Sequence, residues 1–126
     1  MKRLPRISDA EWTVMKVFWA TPSATADEVI AALQGKVTWN ARTIRTLINR
    51  LLQKKALKFK KEGRKYCYSP AVREDHCVRA ERRSFLQRVY GGTIRPMLAA
   101  FIEDARLSPE DIEELKRMLD RKGKAS

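Results

Sequence analysis

One histidine, two cysteines and five glycines are all that this 126-residue chain offers to several large classes of function. His76 alone cannot build a multi-histidine site, and the sequence has no H-E-x-x-H pattern, no C-x-C or C-x-x-C pair and no glycine-rich phosphate loop. Cys67, His76 and Cys77 are the thiol and imidazole donors, whereas a structural metal site normally takes four ligands in paired motifs. Neither a metal nor another cofactor is expected. The acids are scattered over helix faces instead of converging with a base or nucleophile, so an enzyme is not expected either. Two cysteines fit a reducing compartment better than a disulfide framework. The longest apolar runs, such as Met97 to Ile102, are far too short to span a bilayer, and MKRLPRISDAEW has no apolar signal core. The expected location is the cytoplasm.

Acids are scarce in one half. Residues 1 to 70 hold 15 Lys+Arg against 5 Asp+Glu, a net of +10, while residues 71 to 126 hold 12 against 10, a net of +2. Within the first half, residues 36 to 65 carry 11 basic side chains and the single acid Glu62. Such a local concentration is the footprint of a polyanionic partner.

Periodicity gives that charge a scaffold. Ser8-Asp9-Ala10-Glu11 and Thr25-Ala26-Asp27-Glu28 both have capping-box spacing and predict two helix starts. Trp12, Met15, Phe18 and Trp19 supply the expected buried stripe of the first helix, and Val29, Ile30 and Leu33 that of the second. Gly35 is placed to end the second helix, Val37-Thr38-Trp39 to run extended, and Asn40 to cap a third. In that third helix Ile44, Leu47, Ile48 and Leu51 form one stripe, while Arg42, Thr46, Asn49 and Gln53 lie opposite, flanked by Arg45 and Arg50. Each of those outer side chains can donate a hydrogen bond. LKFKKEGRKYCYSP then alternates about Glu62-Gly63, as two antiparallel strands do.

Three short helices followed by a basic hairpin is the order of a winged helix-turn-helix, expected over residues 1–72. Arg, Asn and Thr on the outer face are the types that pair with base edges in the major groove. Arg42, Thr43, Thr46 and Asn49 are the expected base contacts, and Arg45, Arg50, Lys54, Lys60, Arg64 and Lys65 the expected phosphate contacts. RNA fits less well, because an A-form major groove excludes a helix. A non-specific architectural DNA-binding protein would use the same charge without base readers, and a pure protein-interaction module would use only the second half.

That second half, residues 73–126, reads as three amphipathic helices with no sheet to cover them. Its apolar residues are Phe85, Leu86, Val89, Tyr90, Met97, Leu98, Phe101, Ile102, Ile112, Leu115 and Leu119, with Thr93 and Ser108-Pro109 as helix starts and RKGKAS as a frayed end. A single copy has few ways to bury those stripes, so a second copy is expected to cover them. The fold class is therefore mainly α with a small antiparallel β wing: a winged helix-turn-helix domain plus a carboxy-terminal helical dimerisation arm.

ISDAEWTVMKVFW, TWNARTIRTLINRLLQKKAL, KEGRKYCYSP and SFLQRVYGGTIRPMLAAF, in this order and spacing, together resemble the penicillinase-repressor family (BlaI/MecI/CopY) over about residues 7 to 119. The resemblance implies a homodimeric bacterial transcriptional repressor on a palindromic double-stranded DNA operator, controlling β-lactam resistance genes. It also implies relief of repression when a membrane sensor-protease leads to cleavage of the arm, without direct membrane binding by the repressor itself. The family's cut matches Ala99-Ala100-Phe101, where well-studied members carry Asn before Phe and this chain carries Ala100. A metal or other stress signal is the alternative inducer. The copper-responsive branch carries a carboxy-terminal pair of C-x-C motifs that is absent here, so that branch is not expected.

Overall fold

A computed structural model describes residues 4–125. Met1 to Arg3 and Ser126, the outer ends of MKRLPRISDAEW and RKGKAS, lie outside the described residues. The chain runs α1 (Asp9–Ala20), α2 (Ala26–Leu33), α3 (Ala41–Gln53), β1 (Leu57–Glu62), β2 (Lys65–Pro70), α4 (Glu74–Tyr90), α5 (Ile94–Asp104) and α6 (Pro109–Ala125). It is mostly helical, with one two-stranded antiparallel sheet.

Both capping boxes form. The Ser8 hydroxyl accepts from the Glu11 amide and Thr25 from that of Glu28, while each glutamate reaches back to its cap residue's N–H. Such caps contribute about 1 kcal/mol each. Asn40 caps α3 by accepting from Thr43 N–H at 2.9 Å.

Val14, Met15 and Phe18 of α1, Val29 and Leu33 of α2, Ile44, Leu47, Ile48 and Leu51 of α3, and Leu57 at the base of the hairpin form one core. The α3 stripe is the one expected from its spacing. The α1 stripe is shifted: Trp12 and Trp19 are only partly buried and pack on each other at 5.5 Å, with Val14 inside instead. The Trp19 indole explains part of this, because its N–H needs an acceptor and finds the Val72 carbonyl at 3.1 Å. The extended segment also lies elsewhere than expected. Val37 forms only an isolated bridge with Gln34, whereas Ala24 pairs with Tyr68 through two backbone bonds of 3.0 and 2.8 Å. Ala24 directly precedes the α2 cap, so this pairing ties the start of α2 to the hairpin.

α3 stops at Lys54-Lys55. Lys55 is the one non-glycine residue at positive φ (65°) among the described residues, and Ala56 N–H closes the turn onto the Leu51 carbonyl at 2.9 Å. Glu62 pairs with Lys65 across a two-residue loop in which Gly63 takes φ 64°. Positive φ at the first loop position alone fits the II′ turns that match strand twist.

The chain divides into two compact units between Glu81 and Arg82, later than the boundary at residue 72 that the sequence suggested. The reason lies in the first turns of α4. Cys77 is buried in the first unit's core and Glu74 pairs with Lys16 at 2.7 Å.

In the second unit no residue of α5 or α6 is buried. Phe85 stacks on Phe101 at 6.2 Å and meets Tyr90 at 6.0 Å. Ser108 accepts from Asp111 N–H at 3.0 Å and caps α6, but Thr93 makes no side-chain cap bond. α6 continues through the expected frayed end to Ala125, its last turn carrying Lys122 and Lys124 against the negative helix end. No described helix is long and apolar enough to cross a membrane.

Candidate nucleic-acid interface

α3 turns its stripe into the core and leaves Arg42, Thr43, Arg45, Thr46, Asn49 and Arg50 exposed on one side. Because the stripe is buried, the angle of that outer face is fixed by packing. Two of its side chains are already engaged. Arg45 Nη2 donates to Asp27 Oδ1 of α2 at 2.5 Å, an ion pair between two exposed side chains that is weak enough for a phosphate to compete with. Thr46 donates its hydroxyl to the Arg42 carbonyl at 3.0 Å, so it does not offer the free donor expected of it.

Lys54 departs furthest from expectation. Its ammonium donates to Glu11 Oε1 at 2.5 Å and to the Arg6 carbonyl at 2.9 Å, and it is therefore held toward α1. Glu11 is 1% exposed. Burial pushes its carboxyl up, but the Lys54 hydrogen bond, the Ser8 bonds and the Lys54 charge outweigh that and hold it below its ordinary value. Among the described residues Glu11 Oε2 has no hydrogen-bond partner. A buried carboxylate with one unsatisfied oxygen depends on its cation, so Lys54 locks the end of α3 onto the start of α1. Nothing in its spacing separates it from a surface lysine, because the acid it serves is 43 residues away.

The hairpin register sorts the wing by face. Lys58, Lys60, Glu62, Lys65, Cys67 and Ser69 share one side, and Leu57, Phe59, Lys61, Tyr66 and Tyr68 the other. Lys60 and Lys65 thus fall on one exposed face with Arg64 at the tip, and Lys58 joins them. Period-two alternation from Lys60 would have found Lys58. The opposite face begins in the core, where Tyr68 meets Phe18 at 6.2 Å, and ends in the exposed edge-to-face pair Phe59 and Tyr66 at 5.4 Å.

No group of three or more His, Cys, Asp or Glu able to hold a metal occurs among the described residues. Burial, then the nearby acids Asp75 and Glu74, push the Cys77 thiol up; burial and Glu62 do the same to Cys67. Both thiols are thereby held in their less reactive protonated form.

The family model for "Penicillinase repressor" matches residues 7–121. The penicillinase repressor of Bacillus licheniformis is 43% identical over 120 residues, covering 95% of this chain and 94% of that protein. The methicillin resistance regulatory protein MecI of Staphylococcus aureus (strain N315) is 35% identical over 116 residues, 92% of this chain and 94% of its own length. Among solved structures, the Bacillus licheniformis BlaI monomer in complex with the blaP half-operator matches with TM-score 0.53 and 47% identity, covering 60% of this chain and 92% of that one. The DNA-binding domain of the repressor BlaI matches with the same score and identity over 59% of this chain and 90% of that one.

Proposed function

This chain belongs to the penicillinase repressor family, whose members are DNA-binding transcriptional repressors and not enzymes, and from that premise we propose that it acts as a homodimer occupying a palindromic operator. α3 enters the major groove, with Arg42, Thr43, Thr46 and Asn49 toward base edges. Arg45, Arg50, Lys60, Arg64 and Lys65 hold phosphates, and Lys58 is added to them; Lys54 is reassigned to the lock on Glu11. The observation that carries the reading is the exposed polar face of α3 followed by a wing in which Lys58, Lys60 and Lys65 share one side. The half-operator complex of a 47% identical relative supports it.

Dimerisation through α4 to α6 is supported by the arm's unburied apolar residues. Leu98, Phe101, Ile102, Ile112, Leu115 and Leu119 are all exposed in a single chain, as are Val89, Ile94 and Met118. Phe85, Leu86, Tyr90 and Met97 remain half-buried beside them. Two copies on one duplex share a single association cost, which raises affinity over isolated halves.

The names of the relatives support β-lactam resistance genes as targets, and a repressor that occupies a bacterial operator works in the cytoplasm. Relief by a membrane sensor-protease would act at Ala100-Phe101, within helix α5, where Phe101 is 50% exposed and Ala100 half-buried. Cleavage there would cut the arm between its apolar residues and so weaken the dimer. Selecting duplexes from a random library with the full-length chain tests the proposal. An enriched inverted repeat, bound less tightly by the Leu98→Asp/Phe101→Asp double variant, is the expected result. Enrichment of no sequence would favour an architectural DNA-coating role instead.

A further inference from the structure

Thr46 lies one helical turn after Arg42 on the exposed side of α3, and its hydroxyl donates to the Arg42 carbonyl at 3.0 Å. The proton is spent inside the helix. What remains to meet a ligand is the hydroxyl's acceptor lone pair and the γ-methyl. That remainder discriminates among base edges. Guanine presents only acceptors to the major groove, N7 and O6, and neither can pair with an oxygen whose proton is engaged. Thymine presents a C5-methyl, the apolar group of that groove, and its partner adenine presents an N6 amino donor. An A·T pair thus matches both features left on Thr46.

Among the neighbouring side chains Arg42, Arg45 and Asn40 do not duplicate this chemistry, whereas exposed Thr43 carries the same γ-methyl. Arg42 and Arg45 are pure donors. Asn40 has its carbonyl oxygen engaged by Thr43 N–H at 2.9 Å. We propose that Thr46 is a specificity-determining residue that selects an A·T pair in each half-site by apolar contact between its γ-methyl and the thymine C5-methyl. The proposal rests on the reading that α3 enters the major groove.

The test uses the full-length protein and duplexes it enriches from a random library. Each thymine of the enriched site is replaced in turn by deoxyuridine, which removes only the C5-methyl. One position per half-site is expected to lose affinity on the order of 4-fold, the worth of one buried methyl group. Thr46→Val keeps the methyl but discards the hydroxyl and the acceptor it offers to adenine N6; it should preserve the deoxyuridine effect at the same position. Thr46→Ser keeps the hydroxyl, discards the methyl, and should bind about 4-fold more weakly with the deoxyuridine effect gone. Thr43→Ser is the control that must leave the deoxyuridine effect in place. Thermal midpoints of all variants verify folding. If Thr46→Val loses affinity while deoxyuridine is tolerated everywhere, the hydroxyl does the reading and the proposal is overturned, although α3 still enters the groove. If Arg42→Ala and every Thr46 variant bind enriched and scrambled duplexes as wild type does, the underlying placement of α3 fails too.

Discussion

Replacing Lys54 by Met separates two roles that its position in the sequence cannot distinguish. The variant leaves the Glu11 carboxylate, 1% exposed, without its cation and with Oε2 still unpaired. Removing one partner of a buried ion pair costs about 3–5 kcal/mol. The Lys54 side chain is 37% exposed, so water reaches the gap and the low end, about 3 kcal/mol, applies. For a chain of this size that lowers the thermal midpoint by roughly 10 °C. Glu11→Gln should cost less, about 1 kcal/mol, because the amide oxygen still accepts from Ser8 N–H and the freed ammonium can turn to water. Denaturant unfolding measures both, and titrating operator DNA over a salt series measures the other role. A phosphate-holding lysine contributes about 1 to the slope of log affinity against log salt. Lys54→Met should leave that slope unchanged wherever the variant is folded, while Arg50→Ala should lower it. Wild-type stability with a reduced slope in Lys54→Met would overturn the lock and restore Lys54 to the phosphate contacts.

The Glu11 carboxyl is held below its ordinary value of 4.5, so its contribution to stability is complete above that pH and is lost as pH falls through the lowered folded value. The stability gap between wild type and Glu11→Gln should therefore shrink in acid melts below about pH 4 and stay constant from pH 6 to 8. Lys55→Gly, at φ 65°, should stabilise the protein by about 1 kcal/mol, since glycine carries no left-handed penalty; equal or lower stability in urea would contradict the role given to this turn. Within the wing, Lys58→Ala should reduce the salt slope of operator binding, whereas Lys61→Ala, on the opposite face, should not. Equal effects from the two would dissolve the assignment of faces.

The parts of the molecule governed by short-range rules are those the sequence reveals. Both capping boxes, the Asn40 cap, the α3 stripe and the Gly63 turn depend on residues a few positions apart. Features that depend on distant partners stay hidden. Ala24 on Tyr68, Arg45 on Asp27 and Lys54 on Glu11 each join residues from different elements, and no local pattern marks any of the three. The domain boundary moved for the same reason, because Cys77 and Glu74 are claimed by a core and a lysine far earlier in the chain. The four expected base contacts, Arg42, Thr43, Thr46 and Asn49, are all exposed on α3. Chemistry differs at Thr46, where a one-turn hydrogen bond removes the donor. That bond is local, and a threonine four residues after an exposed helical carbonyl was signal enough to anticipate it.

Hydroxyl-radical footprinting of the full-length chain on a duplex it has enriched tests most directly whether a dyad-symmetric pair of α3 helices reads DNA. Two protected half-sites related by inversion, their centres a whole number of turns of about 10 bp apart, are predicted. A single unrepeated protected segment, or uniform protection along the duplex, would contradict it.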